Sequence, residues 1–193
     1  MSLLCYNSFM NIWTRLAQFA TFETERLILR PFAFTDERDF WEITKRPSNL
    51  RFIFPSPKTK EESTAMMVEQ FMRSPLGVWA IELKDRQQMI GAIRFEKLDY
   101  HEGTCEIGYF LKESEWGCGY MTEALKNLVF LAFYELKLRY LTIVTHEENK
   151  ASQRVAQKAG FTFLRDYKGS DRYTHQMRSY TEYGLSRKDY RYE

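Results

Sequence analysis

The chain has 193 residues, 44% hydrophobic and 28% charged, which suits one soluble globular domain with a sizeable core. Lys and Arg number 28 against 26 Asp and Glu, a net charge of +2, and this balance excludes the basic block or stripe of a nucleic-acid-binding surface. The longest basic cluster, Arg187-Lys188 with Arg191, is interrupted by Asp189 and reads as a solvated tail.

From Ser8 to Ala20, apolar residues fall at Phe9, Ile12, Trp13, Leu16, Ala17 and Ala20. That spacing predicts an amphipathic helix, an N-terminal extension over residues 1–20 ahead of a main domain at 21–193. No basic region precedes its apolar stretch, and Asn7, Asn11, Arg15 and Gln18 interrupt it, so neither a signal peptide nor a membrane partner is expected.

Arg26-Leu27-Ile28-Leu29-Arg30-Pro31 reads as a strand closed by proline. A helix follows with Thr35 as its cap, Asp36 and Glu37 in its first turn and Pro47 beyond its end. Arg51 to Pro57 reads as a loop, and Thr59 to Arg73 as a second helix. Val78–Lys84 and Met89–Lys97 flank Asp85-Arg86-Gln87 as a hairpin, and Thr104–Leu111 adds a third strand. Two glycines, Gly117 and Gly119, then lead into a helix from Thr122 to Leu136. Tyr140–Thr145 is a β-branched strand, and Asn149–Ala159 a helix stopped by Gly160. A final hairpin starts at Phe161-Thr162-Phe163 and returns over Met177–Leu185. With no repeat and no linker, the order points to a single α/β domain with a mixed sheet.

The segment Trp116-Gly117-Cys118-Gly119-Tyr120-Met121-Thr122-Glu123-Ala124 joins a strand to a helix. Glycines there let main-chain N–H groups converge on one spot, at a helix N-terminus whose dipole favours an anion such as a pyrophosphate. A lone G-x-G serves equally as a plain tight turn, and it is neither a Walker loop nor G-x-G-x-x-G. Downstream, Asn149-Lys150-Ala151-Ser152-Gln153-Arg154-Val155-Ala156-Gln157-Lys158-Ala159-Gly160-Phe161 places a capping Asn and a Ser one turn on along a helix.

Together these segments resemble the GNAT acetyltransferase superfamily in its RimJ/RimL branch, which acetylates protein N-termini. The first resembles the branch's W-G-x-G-Y/L-x-T-E-A loop, the second its N-x-x-S-x-x-[VL]-x-x-[KR]-x-G-F element. Thr24-Glu25-Arg26-Leu27-Ile28-Leu29-Arg30-Pro31 is similar to its first strand. The likeness runs from about Phe22 to Leu185.

The resemblance implies a twisted, mostly antiparallel sheet of about six or seven strands flanked by helices. Its two central strands, here Thr104–Leu111 and Tyr140–Thr145, splay apart in a V. It implies acetyl-CoA as cosubstrate, without metal, bound through Trp116, Gly117, Cys118, Gly119, Tyr120, Met121 and Thr122, with Asn149 and Ser152 at the pantetheine arm. The acceptor is then a primary amine, most simply a protein N-terminal α-amine, acetylated directly in a ternary complex by a monomer or homodimer. Acetylation of a small amine and non-catalytic acyl-CoA binding are the alternatives.

Amine acetylation requires a neutral amine, an oxyanion stabiliser and a proton for the departing thiolate. Glu106, inside an apolar strand, is the first candidate to take the amine's proton; a structural pairing with a basic neighbour is the competing reading. His146, at the end of its strand, is the second, against a plain surface-loop histidine. Ser152 is the candidate proton donor, with Tyr109 and Tyr173 as alternatives.

Cys5, Cys105 and Cys118 show no bridge or metal spacing, so a reduced, cytoplasmic compartment is the simplest inference. Cys118 has no activating base beside it and is assigned no catalytic role. The aromatics Phe52-Ile53-Phe54 and Val78-Trp79 fit core better than an acceptor groove.

Overall fold

The computed structural model describes residues 11–191, so Cys5 and the start of the expected N-terminal helix lie outside the described residues. Eight strands form one sheet in the order β1-β2-β3-β4-β5-β6-β8-β7. They are β1 (Phe22–Glu23), β2 (Leu27–Arg30), β3 (Val78–Leu83), β4 (Gln88–Asp99), β5 (Thr104–Leu111), β6 (Tyr140–His146), β7 (Thr162–Ser170) and β8 (Met177–Ser186). The helices are α1 (Ile12–Gln18), α2 (Glu37–Thr44), α3 (Pro47–Leu50), α4 (Lys60–Met67), α5 (Tyr120–Phe130) and α6 (Lys150–Lys158). Wider π-turns extend α4 over Val68–Met72 and α5 over Leu131–Glu135.

Period-two alternation divides the strands between two apolar layers. On β3, Trp79, Ile81 and Leu83 join a large core with Leu125, Leu128 and Val129 of α5. Val78 and Ala80 face the opposite side and pack with Phe40 and Ile43 of α2 and Met67 of α4. On α5 the buried residues Met121, Ala124, Leu125, Leu128 and Val129 follow helical spacing. Truncating one of them, Leu128→Ala, would cost about 2–5 kcal/mol. Helix α1 is part of this core: Leu16 is fully buried, and the Trp79 indole N–H donates to Phe19 O at 3.1 Å.

All neighbouring strands pair antiparallel except β5 and β6, which run parallel. Their register covers only Thr104↔Tyr140, Cys105↔Leu141 and Glu106↔Thr142. Beyond it, β5 continues against β4 alone and β6 against β8 alone. The expected V thus opens just after Glu106.

Two local expectations are corrected. Strand β1 makes the sheet eight-stranded, and two residues carry no readable periodicity. Pro47 does lie beyond the end of α2, and it occupies the first turn of the short α3. Thr35 does not cap α2: a 3-10 turn over Phe34–Asp36 precedes it, and Asp36 Oδ2 accepts from Ala33 N–H at 2.9 Å. Asp36, the N-cap residue of α2, is buried and makes no side-chain capping bond; it receives both terminal nitrogens of Arg30, at 2.9 and 2.7 Å, in a charge-assisted fork.

Candidate active site

The V and the two segments around it define the site. Gly117 and Gly119 both have left-handed backbone, φ 80° and 84°, which only glycine adopts without strain. Gly119 opens α5, and the first ladder bond there runs from Glu123 N–H to Gly119 O at 3.0 Å. Among the described residues, the six backbone amides from Gly117 to Thr122 donate to no protein acceptor. Six unpartnered donors at the positive end of an 11-residue helix make an anion cradle. A Cβ on Gly117 would meet no atom within 4 Å, so the approach is open.

The cradle is built into the domain from both sides. The Trp116 indole N–H donates to Leu111 O at 2.8 Å, returning the loop to the end of β5. Glu115, buried, is held by Arg86 at 2.9 Å. The N–H of Glu113 donates to Oδ1 of buried Asn49 at 2.7 Å. Behind the loop, Arg26 donates Nη1 to Cys118 O at 3.0 Å and Nε to Glu123 Oε2 at 2.7 Å.

Across the V stands the start of α6. Asn149 Oδ1 caps the helix, accepting from Ser152 N–H at 3.1 Å, while its Nδ2 has no partner among the described residues. Ser152 Oγ lies 2.9 Å from the Tyr109 hydroxyl, which reaches over from β5. Burial raises the Tyr109 pKa, so the phenol keeps its proton far above neutrality.

Two cavities meet at this pair. One, of about 220 Å³, runs from Trp116, Gly117, Gly119, Tyr120, Met121 and Thr122 to Asn149 and Ser152, with the cations Arg154 and Lys158 on its α6 side. Cys118 is absent from that lining; its thiol is exposed. The other, of about 270 Å³, holds Glu106, Tyr109, His146, Asn149 and Ser152 together. Phe52 and Ile53 line both cavities, whereas Trp79 is core.

Glu106 is not an isolated carboxylate. Its Oε2 accepts from Lys97 Nζ at 2.7 Å, the pairing that competed with a catalytic role, and this bond raises the Lys97 pKa. Oε1 has no partner among the described residues. His146 packs its ring between Phe52, at 5.3 Å, and Tyr180, at 4.7 Å. Burial lowers its pKa, only partly opposed by the charge of Asp171, so the imidazole is neutral at pH 7. A third, open groove of about 850 Å³ continues past His146, between the Pro47–Ser56 segment and the tip of the β7–β8 hairpin. Burial also raises the pKa of Cys105, whose thiol is inert in the core.

Sequence reasoning missed Arg26 and Asn49, which touch the cradle from segments far away in the chain, and Arg86, which holds Glu115 beside it. Arg26 lay inside a recognised strand motif, but nothing in one sequence pairs it with Glu123.

Among the described residues, no cluster of His, Cys, Asp and Glu could hold a metal ion, and no helix is long and apolar enough to cross a membrane. The chain is similar to the uncharacterized N-acetyltransferase YoaA of Bacillus subtilis (strain 168), at 29% identity over 147 residues, 74% of this chain and 83% of that protein. It is 35% identical over 74 residues to the ribosomal-protein-serine acetyltransferase of Escherichia coli (strain K12), 38% of this chain and 41% of that one. The crystal structure of a GNAT-family acetyltransferase from Bacillus anthracis superposes with a TM-score of 0.78 at 23% identity, covering 87% of this chain and 99% of that one. The family model described as the acetyltransferase (GNAT) domain matches residues 26–162, which include β2 through α6 and both sides of the V. The chain therefore belongs to the GNAT family, whose members draw the acetyl group from acetyl-CoA, and is an N-acetyltransferase.

Proposed function

We propose that the protein transfers an acetyl group from acetyl-CoA to the α-amine of a polypeptide N-terminus, directly within a ternary complex. The observation that carries this reading is the joining of two cavities at Tyr109, Asn149 and Ser152, with the second continuing past His146 into the 850 Å³ groove. A small amine needs only the inner cavity; an extended peptide uses the groove as well. The ribosomal-protein-serine acetyltransferase among the relatives supports the same acceptor class.

The cradle amides and the dipole of α5 hold the diphosphate, with Arg154 and Lys158 near its negative charge. The backbone edge of β5 beyond Glu106, which β6 leaves uncovered, pairs with the pantetheine amides as an added strand would. Asn149 Nδ2 supplies one more donor there. The acceptor's ammonium enters past His146 toward Glu106 Oε1, a fixed negative charge braced by Lys97. Neutral His146 takes the amine's proton, directly or through water, and the amine attacks the thioester carbon. As the C–S bond breaks, the Ser152–Tyr109 pair delivers a proton to the thiolate, giving free CoA and the amide.

Release of CoA thiol, measured against N-terminal peptides, spermidine and an aminoglycoside, tests the reading. Peptides are expected to give the highest kcat/KM. Turnover confined to the small amines would refute a polypeptide acceptor.

A further inference from the structure

The cradle has an internal weakness. Gly117 and Gly119 flank Cys118, and paired glycines leave a loop free to reorient its peptide planes. A cradle of this kind works only if something outside it fixes those planes.

Arg26 is placed to do so. Glu123, one turn into α5, receives the Thr24 hydroxyl at 2.6 Å, Arg26 N–H at 2.8 Å and Arg26 Nε at 2.7 Å. Burial works to raise the Glu123 pKa, but these bonds and the guanidinium charge hold it below the usual carboxylate range, so it stays ionised. The guanidinium lies 4.5 Å from the Tyr120 ring centre, and its Nη2 is 3.4 Å from the point a Cβ on Gly119 would occupy. Thus oriented, Nη1 donates to Cys118 O at 3.0 Å.

That carbonyl and the Gly119 N–H belong to one peptide unit. With no cis bond among the described residues, the two point in opposite directions. Arg26 is not among the residues lining the donor groove, whereas Gly119 is. Pulling Cys118 O back toward Arg26 therefore turns Gly119 N–H forward into the groove. A cationic donor on the carbonyl also polarises the peptide and strengthens its N–H as a donor.

We infer that Arg26 is a positioning residue for acetyl-CoA: through the Cys118 carbonyl it aims and polarises the Gly119 N–H at the diphosphate, while Glu123 and Thr24 hold Arg26 in place. The inference rests on acetyl-CoA occupying this groove. It assigns to the strand motif a role in binding beyond its place in the sheet.

The test compares acetyl-CoA with S-acetylpantetheine, which carries the thioester and both amides but no phosphate. In the wild-type protein, kcat/KM should favour acetyl-CoA. In Arg26→Ala, KM for acetyl-CoA should rise about tenfold or more. Its kcat at saturation and its kcat/KM with S-acetylpantetheine should stay within about twofold. Arg26→Lys keeps a charge beside Glu123 but cannot also reach Cys118 O, so it should show the same loss in milder form. Thr24→Val removes the hydroxyl's bond to Glu123 and the one it accepts from Leu27 N–H, so it should lower Tm and, by loosening the anchor of Arg26, raise KM for acetyl-CoA less than Arg26→Ala does. Equal losses with both donors in Arg26→Ala and Arg26→Lys would mean that Arg26 merely supports the fold, and would overturn the inference. An unchanged KM for acetyl-CoA would overturn it as well. A wild-type protein indifferent to the phosphates would instead remove the donor site itself, and the inference with it.

Discussion

The hydroxyls of Tyr109 and Ser152 lie 2.9 Å apart across the mouth of the V, one carried by β5 and the other by α6. The two elements diverge on either side of the thioester's expected position, and this bond spans them where the sheet no longer does. The Tyr109 hydroxyl also lies 3.2 Å from Ser152 O. A phenol that burial keeps protonated, touching a serine hydroxyl, is a ready source of the proton that the leaving thiolate requires.

Ser152→Ala and Tyr109→Phe should each lower kcat, with little change in acetyl-CoA affinity. The loss should shrink with acyl donors whose leaving thiol is more acidic. Since the two act through one hydrogen bond, the double variant should lose less than the sum of the two single effects. Steady-state kinetics over a series of thioesters makes the comparison. A loss that ignores the thiol's pKa would leave the pair a packing contact.

His146 and Glu106 face the same cavity and divide the work on the amine. His146→Gln should lower kcat by about 10²–10⁴-fold. Glu106→Gln should chiefly raise KM for the acceptor. Burial lowers the His146 pKa, so the imidazole stays neutral to a lower pH than an ordinary histidine. The acid limb of kcat/KM should accordingly lie below the usual histidine range, with activity lost as pH falls through it, and should vanish in His146→Gln. The same shift makes protonation oppose folding: any stability tied to neutral His146 is kept above the unfolded-state value and lost as pH falls through the folded one. A limb that persists in His146→Gln and disappears in Glu106→Gln would exchange the two roles.

Asn149 has two functions that substitution can separate. Its Oδ1 caps α6, its Nδ2 has no partner among the described residues, and the residue lines the donor groove. Asn149→Ala should cost about 1 kcal/mol of stability and weaken acetyl-CoA. Asn149→Asp keeps the cap, so thermal unfolding should be near wild type while calorimetry still shows weaker acetyl-CoA binding. Restoration of both together would reduce Asn149 to a cap.

The thiols should separate by exposure. Cys118 is exposed in the cradle loop and Cys105 is buried with a raised pKa. A maleimide reagent should label Cys118 and not Cys105, and saturating acetyl-CoA should slow the labelling. Cys118→Ala should keep turnover within several-fold; abolished turnover in a folded variant that still binds acetyl-CoA would revive a covalent acetyl-cysteine route.

Much of this architecture is legible in the chain because its signals are local. Thr104–Leu111 reads as a strand to the residue, and the Gly117–Gly119 turn and the Asn149–Ser152 cap announce themselves within a few positions. The parallel β5–β6 pair and its early end follow from the family resemblance, since no local pattern encodes where two strands part. What escaped the sequence is long-range or very short. The Arg26–Glu123 bond joins residues 97 apart, β1 has two residues, and the 3-10 turn that takes Thr35 out of the cap position spans only Phe34–Asp36. Lys97 reaches Glu106 because β4 and β5 pair in that register, with an irregularity between Glu96 and Asp99 and a left-handed backbone at Lys97. Sequence alone named the pairing and its catalytic rival without choosing between them.

The central claim is acetyl transfer to a polypeptide α-amine. Incubating the purified protein with acetyl-CoA and a peptide that carries both a free N-terminus and an internal lysine, then locating the acetyl group by tandem mass spectrometry, tests it most directly. The account predicts a single acetyl group on the α-amine, formed in step with CoA release and absent when the N-terminus is blocked. Acetylation of the lysine with the α-amine untouched, or CoA release without an acetylated peptide, would contradict it.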